Sequence, residues 1–218
     1  MKGYDKTKQF RLTPWEFLAK LDILNWLRYA AIVKELTNQK PQSVLEAGPG
    51  EGVIKSVMMN FVENYDTIDV NPKLSPTYQG DIRSLKSELR EKYDCVIAAD
   101  ILEHIPFADL EKALKNFHSY LKPGGRALIT IPHRAWFLFG MSWLFNYKPC
   151  IIRAPGSLRT FYHRLRGRKK NPIDLDHEWE IGDGVHNVDD VENAMKKSGF
   201  EVGKQEELLY VDFWVLKK

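Results

Sequence analysis

Short strand-like runs at residues 43–47, 67–70, 95–99 and 127–131 alternate with helical patterns at 53–62, 82–91 and 107–121. Apolar strands separated by helices pair in parallel, so this alternation restricts the chain to a sheet with helices on both faces. Thr13-Pro14-Trp15-Glu16 reads as a capping box with Pro at the first helical position, and a helix running from there to about residue 36 is expected. The chain closes differently. Asn187, with Asp190 three residues on, caps a helix that stops at Gly199, and strands at 200–207 and 209–216 follow with only a tight connection, which forces them antiparallel. The expected fold class is therefore α/β, a doubly wound, mostly parallel sheet of about seven strands with an antiparallel C-terminal strand. A helical insertion is expected after the fifth strand. One domain is expected over 1–218: a helical cap at 1–40, a ligand-binding core at 41–132, an insertion or lid at 133–186, and a closing helix and hairpin at 187–218.

Composition narrows the class further. At 218 residues, 44% hydrophobic, the chain can bury roughly 70% of its unfolded surface and needs neither disulfides nor a metal to hold its fold. Cys95 and Cys150 supply no ligand cluster, and no metal is expected. A net charge of +3 is too small for a uniformly basic nucleic-acid binder. The opening MKGYDKTKQFRL lacks the apolar core of a secretory signal, and the longest near-continuous apolar run, 135–145, is about half of a membrane span. A cytoplasmic setting is expected, with peripheral membrane contact as an option.

The strongest local signal is Glu46-Ala47-Gly48-Pro49-Gly50-Glu51-Gly52, a strand ending in an acid and a glycine-rich turn into a helix. Glycines let the backbone approach a ligand, and the helix N-terminus offers free N–H groups. A tight turn with no ligand is the plainer alternative. Val53 stands where a dinucleotide fingerprint needs glycine, and no Gly-Lys-Ser/Thr follows, so pyrophosphate binding is disfavoured. The next strand ends at Asp69, 17 residues beyond Gly52, where a carboxylate can accept both hydroxyls of a ribose. Alternatively, Asp69 starts a turn before Pro72.

With Gly80-Asp81-Ile82, the run from Asp94 through Asp100-Ile101-Leu102-Glu103-His104, and Lys122-Pro123-Gly124-Gly125, these motifs resemble the class I S-adenosylmethionine-dependent methyltransferases over residues 40–132, and more weakly from 187 onward. The resemblance implies a Rossmann-like fold and S-adenosyl-L-methionine as cofactor. It implies that Gly48, Gly50 and Gly52 pass over the methionine part, with Glu46 toward its amino group. Asp69 would hold the ribose and Val70 would pack on adenine. Asp81 would meet the adenine amino group and Ile82 its face, while Asp100 and Ile101 would line the methionine side. His104 is expected to be structural. An Asn/Asp-Pro-Pro-aromatic run, typical of exocyclic base methylation, is replaced by Ala99-Asp100-Ile101-Leu102, which argues against that activity.

A general base matters only for an acceptor that must lose a proton. His133, ending the fifth strand, and His186, before the last helix, are the candidates; His177 competes with them, and each has a surface or capping role as its alternative. Residues 133–170 hold nine Lys or Arg, no acid and eight of the 26 aromatics, and residues 171–190 hold seven acids and no Lys or Arg. Such a segment suits a lid over an acceptor pocket or a membrane contact through 134–170. A small-molecule or lipophilic acceptor is expected first; RNA or protein is the alternative, nucleic acid being disfavoured by the nearby acids. A non-catalytic cofactor-binding subunit and a nicotinamide oxidoreductase are the other classes, the latter failing at Val53.

Overall fold

The computed structural model of the chain describes residues 23–133, 135–141, 149–155, 177–208 and 210–218. Helix α1 (Ile23–Gln39) leads into β1 (Ser43–Ala47), α2 (Val53–Met58), β2 (Asn64–Asp69), β3 (Tyr78–Gln79) and β4 (Tyr93–Ala99). Helix α3 (Leu110–Tyr120) and β5 (Leu121–Pro132) follow, and α4 (Val188–Lys197), β8 (Glu201–Glu207) and β9 (Val211–Lys217) close the chain. The seven-stranded sheet runs β3-β2-β1-β4-β5-β9-β8. Pairing is parallel from β3 to β5 and antiparallel at β5–β9 and β9–β8. The strand order reverses between β1 and β4, and in open α/β sheets ligands bind in the crevice beyond the carboxyl ends at such a point.

The two-residue period of each strand sends alternate side chains to opposite layers. From β4, Val96 and Ala98 join Leu114 and Phe117 of α3 and Val191 of α4 on one face. Cys95 and Ile97 of the same strand join Ile32 and Leu36 of α1 and Ile54 of α2 on the other. Strand β9 divides in the same way, with Trp214 and Leu216 on the α3 side and Phe213 and Val215 on the α1 side. Both faces are thus covered, as the apolar runs require. Asn187 caps α4 reciprocally: its side chain accepts from Asp190 N–H at 3.0 Å, and the Asp190 carboxylate accepts from Asn187 N–H at 3.0 Å. Gly199 follows at φ +97°, where the helix ends.

Two expected helices are not formed. Residues 82–91 carry only a 3₁₀ turn at Ser87–Leu89. Tertiary partners take the backbone groups that a helix would have used. Asn116 Nδ2 donates to the Ile82 carbonyl at 2.8 Å, the Tyr120 hydroxyl accepts from Lys86 N–H at 3.0 Å, and Asp81 Oδ1 accepts from Arg83 N–H at 2.8 Å. The insertion was expected to be helical, but its described residues hold no helix: β6 (Ala135–Met141) pairs antiparallel with β7 (Pro149–Pro155), from Ala135↔Pro155 to Met141↔Pro149, and 177–186 is loop and turn. A short apolar run does not distinguish strand from helix by periodicity, and the aromatic and β-branched content of these two runs favours pairing. The basic residues from Arg159 to Lys170, and the capping box at Thr13–Glu16, lie outside the described residues. Among the described residues, no helix is long and apolar enough to cross a membrane.

Candidate active site

Beyond the ends of β1, β2 and β4 lies a cavity of about 270 Å³. Eight of the ten residues singled out in the sequence line it: Gly48, Gly50, Asp69 and Val70 from the first two strand ends, and Asp81, Ile82, Asp100 and Ile101 from the next two segments. Gly48 sits at φ +64°, and a Cβ there would collide with Ile101 Cδ1, so only glycine admits both the turn and the neighbouring side chain. Gly52 does not line the cavity; at φ +72° it is the N-cap of α2. Glu46 does not line it either. It is buried beneath the turn, accepts the Tyr65 hydroxyl at 2.9 Å, and is pushed up to about 7 by burial, against the pull of that bond and of Lys55.

Each carboxylate of the cavity is fixed by its own backbone or by a cation. Asp69 Oδ1 accepts from Asn71 N–H at 2.7 Å, which makes the turn before Pro72 and sets the carboxylate at the β2 tip. Asp81 is gripped by Arg83, whose Nε donates at 3.0 and 3.1 Å and whose Nη2 donates at 2.6 Å; that bonding holds its carboxyl below the ordinary range. Arg83 also reaches Asp109 at 3.1 Å and itself lines the cavity. Asp100 adopts φ +49°, a region an Asp tolerates at modest cost. Its Oδ1 accepts the Thr130 hydroxyl at 2.5 Å, and Oδ2 pairs with the Arg28 guanidinium. Arg28 comes from α1, so the cap helix delivers a cation to the β4 tip.

A second cavity, about 410 Å³, shares Asp100 and His104 with the first and is completed by Arg28, Glu103, His133, His177, Glu180 and Tyr210, with Pro132 at the end of β5. Of the candidate bases, His133 lies here, 7% exposed; its N–H donates to the Tyr210 carbonyl at 2.9 Å and its Nδ1 stands 3.0 Å from Asp212 Oδ2. Nδ1–H donates to that buried carboxylate, and Nε2 lies 3.7 Å from Glu207 Oε1. His186 lines neither cavity. It stacks on Phe107 at 4.3 Å and bonds Asp183 Oδ2 at 2.9 Å. His177 is in the second cavity, its Nδ1 bonded to Glu180 at 2.7 Å, and its ring meets that of His104 edge-on at 4.9 Å. Glu103, on the 3₁₀ turn Leu102–His104, is 0% exposed, and burial pushes its carboxyl up to about 8.

Among the participants that escaped sequence reasoning are Arg28, Arg83, Thr130 and Asp212. Arg83 had a signal, the Asp81-x-Arg83 spacing that closes a local fork. Asp212 had a weaker one, an acid inside the apolar run of β9. Nothing in the sequence ties Arg28 or Thr130 to the β4 tip, since both arrive there through the fold.

A model of the methyltransferase domain matches residues 24–205, and the chain belongs to that family. It is an S-adenosylmethionine-dependent methyltransferase. A ubiquinone biosynthesis O-methyltransferase of Proteus mirabilis (strain HI4320) is 24% identical over 178 residues, 70% of this chain and 71% of that protein. The N-methyltransferase NodS of Bradyrhizobium japonicum WM9, solved with S-adenosyl-L-homocysteine, superposes with a TM-score of 0.61 at 12% identity, over 93% of this chain and 91% of NodS. The 1,6-didemethyltoxoflavin-N1-methyltransferase of Burkholderia thailandensis, solved with its substrate and S-adenosylhomocysteine, gives 0.54 at 12% identity, over 88% of this chain and 76% of that enzyme.

Proposed function

We propose that the chain transfers a methyl group from S-adenosylmethionine in the first cavity to a hydroxyl-bearing small molecule in the second. The observation that carries this reading is the shared wall of the two cavities: Asp100 and His104 border both, so donor and acceptor meet at the tips of β4 and β5. The residues of the first cavity suit the cofactor. The bare backbone at Gly48 and Gly50 admits the methionine part closely, the Asp69 carboxylate accepts from the ribose hydroxyls, Asp81 accepts from the adenine amino group, and Val70 and Ile82 flank the ring. Gly52 orients the first N–H groups of α2 toward that end of the site, and Glu46 supports the turn from below. Asp100 and Ile101 close the methionine side.

The cofactor supplies an electrophilic methyl on a sulfonium that departs as a neutral thioether. The chain's own contribution is alignment, for which well-placed groups reach effective molarities of about 10⁵–10⁸ M. His133 Nε2 takes the acceptor proton as the oxygen attacks, and Asp212 orients the ring and stabilises the imidazolium. An amine acceptor would not need this pair, which is why a hydroxyl is favoured. His186, outside both cavities, serves the loop before α4. A lipophilic acceptor fits the aromatic content of residues 133–170 and the ubiquinone biosynthesis for which the Proteus relative is named, and peripheral membrane contact through 134–170 belongs to the same reading.

Methyl-labelled cofactor tests the proposal directly. The enzyme is incubated with phenols and quinols, with and without an isoprenoid tail, and in parallel with total RNA and with a protein extract. Label should enter the organic fraction as a methyl ether. Label confined to amines, RNA or protein would overturn the acceptor assignment.

A further inference from the structure

Glu103 is the least satisfied polar group of the second cavity. Its side chain is 0% exposed, and neither carboxylate oxygen has a hydrogen-bond partner among the described residues. A buried carboxylate without a donor costs several kcal/mol unless it stays protonated or a cation faces it. The Arg28 guanidinium attracts the Glu103 carboxylate but makes no hydrogen bond to it, its Nη atoms being paired with Asp100 and with the Tyr29 hydroxyl at 3.0 Å. Imidazoles also face Glu103. His177 Nε2 stands 3.9 Å from Glu103 Oε1, and one ligand atom each from Glu103, His104 and His177 lie within 4.8 Å of one another.

We propose that Glu103, His104 and His177 bind one divalent transition-metal ion in the second cavity, with Glu180 orienting His177. The backbone builds this juxtaposition from two segments. The 3₁₀ turn after β4 sets Glu103 beside His104, and Glu178 N–H donates to the Glu103 carbonyl at 2.8 Å, which brings His177 over that turn. Glu180 occupies His177 Nδ1 at 2.7 Å, which turns Nε2 toward Glu103; a carboxylate on the far ring nitrogen is how metal-ligating histidines are commonly held. An ion bound at about 2.0–2.2 Å from each of three ligands in tetrahedral geometry sets those atoms about 3.3–3.6 Å apart, so the pairs close by roughly an ångström on binding. Two imidazoles with one carboxylate suit zinc, iron, manganese or cobalt better than calcium or magnesium, which prefer all-oxygen sets. Three protein ligands also leave open positions, as at catalytic rather than structural sites.

The open positions face the cavity assigned above to the acceptor. A hydroxyl coordinated there is more acidic than a free one, so it gives its proton to His133 more readily. The balance is simple: the O–H bond breaks and its proton passes to Nε2, an O–C bond forms, and the C–S bond breaks with its electron pair left on sulfur. No electron is gained or lost overall. This consequence rests on the hydroxyl reading, whereas ion binding does not.

Tag-free full-length protein is dialysed against chelator and titrated with Zn²⁺ by calorimetry and with Co²⁺ by visible absorption, without cofactor or acceptor. One saturable equivalent per chain is expected. Glu103→Gln and His177→Gln should each weaken it at least tenfold, Glu180→Gln by about 10–100-fold, and His118→Gln should leave it unchanged. Retained S-adenosylmethionine affinity in each variant shows that the fold is intact, and if Glu103→Gln fails that check, His177→Gln alone decides. Absence of saturable Zn²⁺ and Co²⁺ binding, or equal affinity in wild type and His177→Gln, overturns the site. Saturation by Mg²⁺ alone overturns the transition-metal assignment. A bound ion with no methyl transfer to hydroxyls would leave the site standing and remove the acceptor reading.

Discussion

The two cavities are built by opposite strategies. The cofactor-side wall comes from short contiguous motifs, each a strand end plus the turn that follows it: 46–52, 69–72, 80–83 and 100–101. The acceptor-side wall is gathered from distant places: Arg28 of α1, the turn after β4, the end of β5, the segment at 177–180 and Tyr210 just before β9. A motif-built wall can be conserved in shape while the gathered one changes with any of its segments. On the proposed function, the scaffold separates a donor half built from local motifs from an acceptor half gathered by the fold.

If that separation holds, mutations should divide cleanly between the halves. The largest expected effect is in the acceptor half: His133→Gln should lower kcat by about 10²–10⁴ while leaving cofactor affinity within about twofold. A parallel loss of cofactor affinity would break the division. A smaller effect belongs to the donor half, through Glu46. Burial raises its folded pKa from the ordinary 4.5 to about 7, so between those values the folded chain binds more protons than the unfolded one. The stabilisation is fully present below pH 4.5 and is lost as pH rises through 7, about 3 kcal/mol in all. Denaturant unfolding without cofactor at pH 5 and pH 8 should show wild type losing about 2.5 kcal/mol more than Glu46→Gln; equal pH dependence would show Glu46 ionised when folded. The smallest effect lies outside both halves. Asn187→Ala should cost about 1 kcal/mol of stability, seen as a lower Tm, with kcat and cofactor affinity unchanged.

The same division explains what could be read from the sequence. The strand segments, the Gly48 turn, Asp69 and Asp81 were legible because each is a local solution to a local steric or electrostatic demand. The α4 cap was legible for the same reason: Asn187 and Asp190 satisfy each other within one turn. Residues 82–91 were misread as a helix because their hydrogen-bond partners, Asn116 and Tyr120, arrive from α3. The insertion was misread because an apolar run of seven residues fits either period, and pairing between β6 and β7 decides it. Arg28, Thr130 and Asp212 act only once strands and helices far apart in sequence are packed, so no spacing announces them. Glu103 and His104 were visible as an adjacent pair, but the partner that gives them a chemical use, His177, is 73 residues beyond His104.

The central claim is that the motif-built cavity is the cofactor's seat, and calorimetric titration of S-adenosylmethionine into wild type and Asp69→Ala tests it most directly. Loss of hydrogen bonds between the ribose and a charged carboxylate should cost about 1.5–3 kcal/mol, a Kd raised roughly tenfold or more. An unchanged Kd in Asp69→Ala, or tight NAD binding with no response to S-adenosylmethionine, would contradict it.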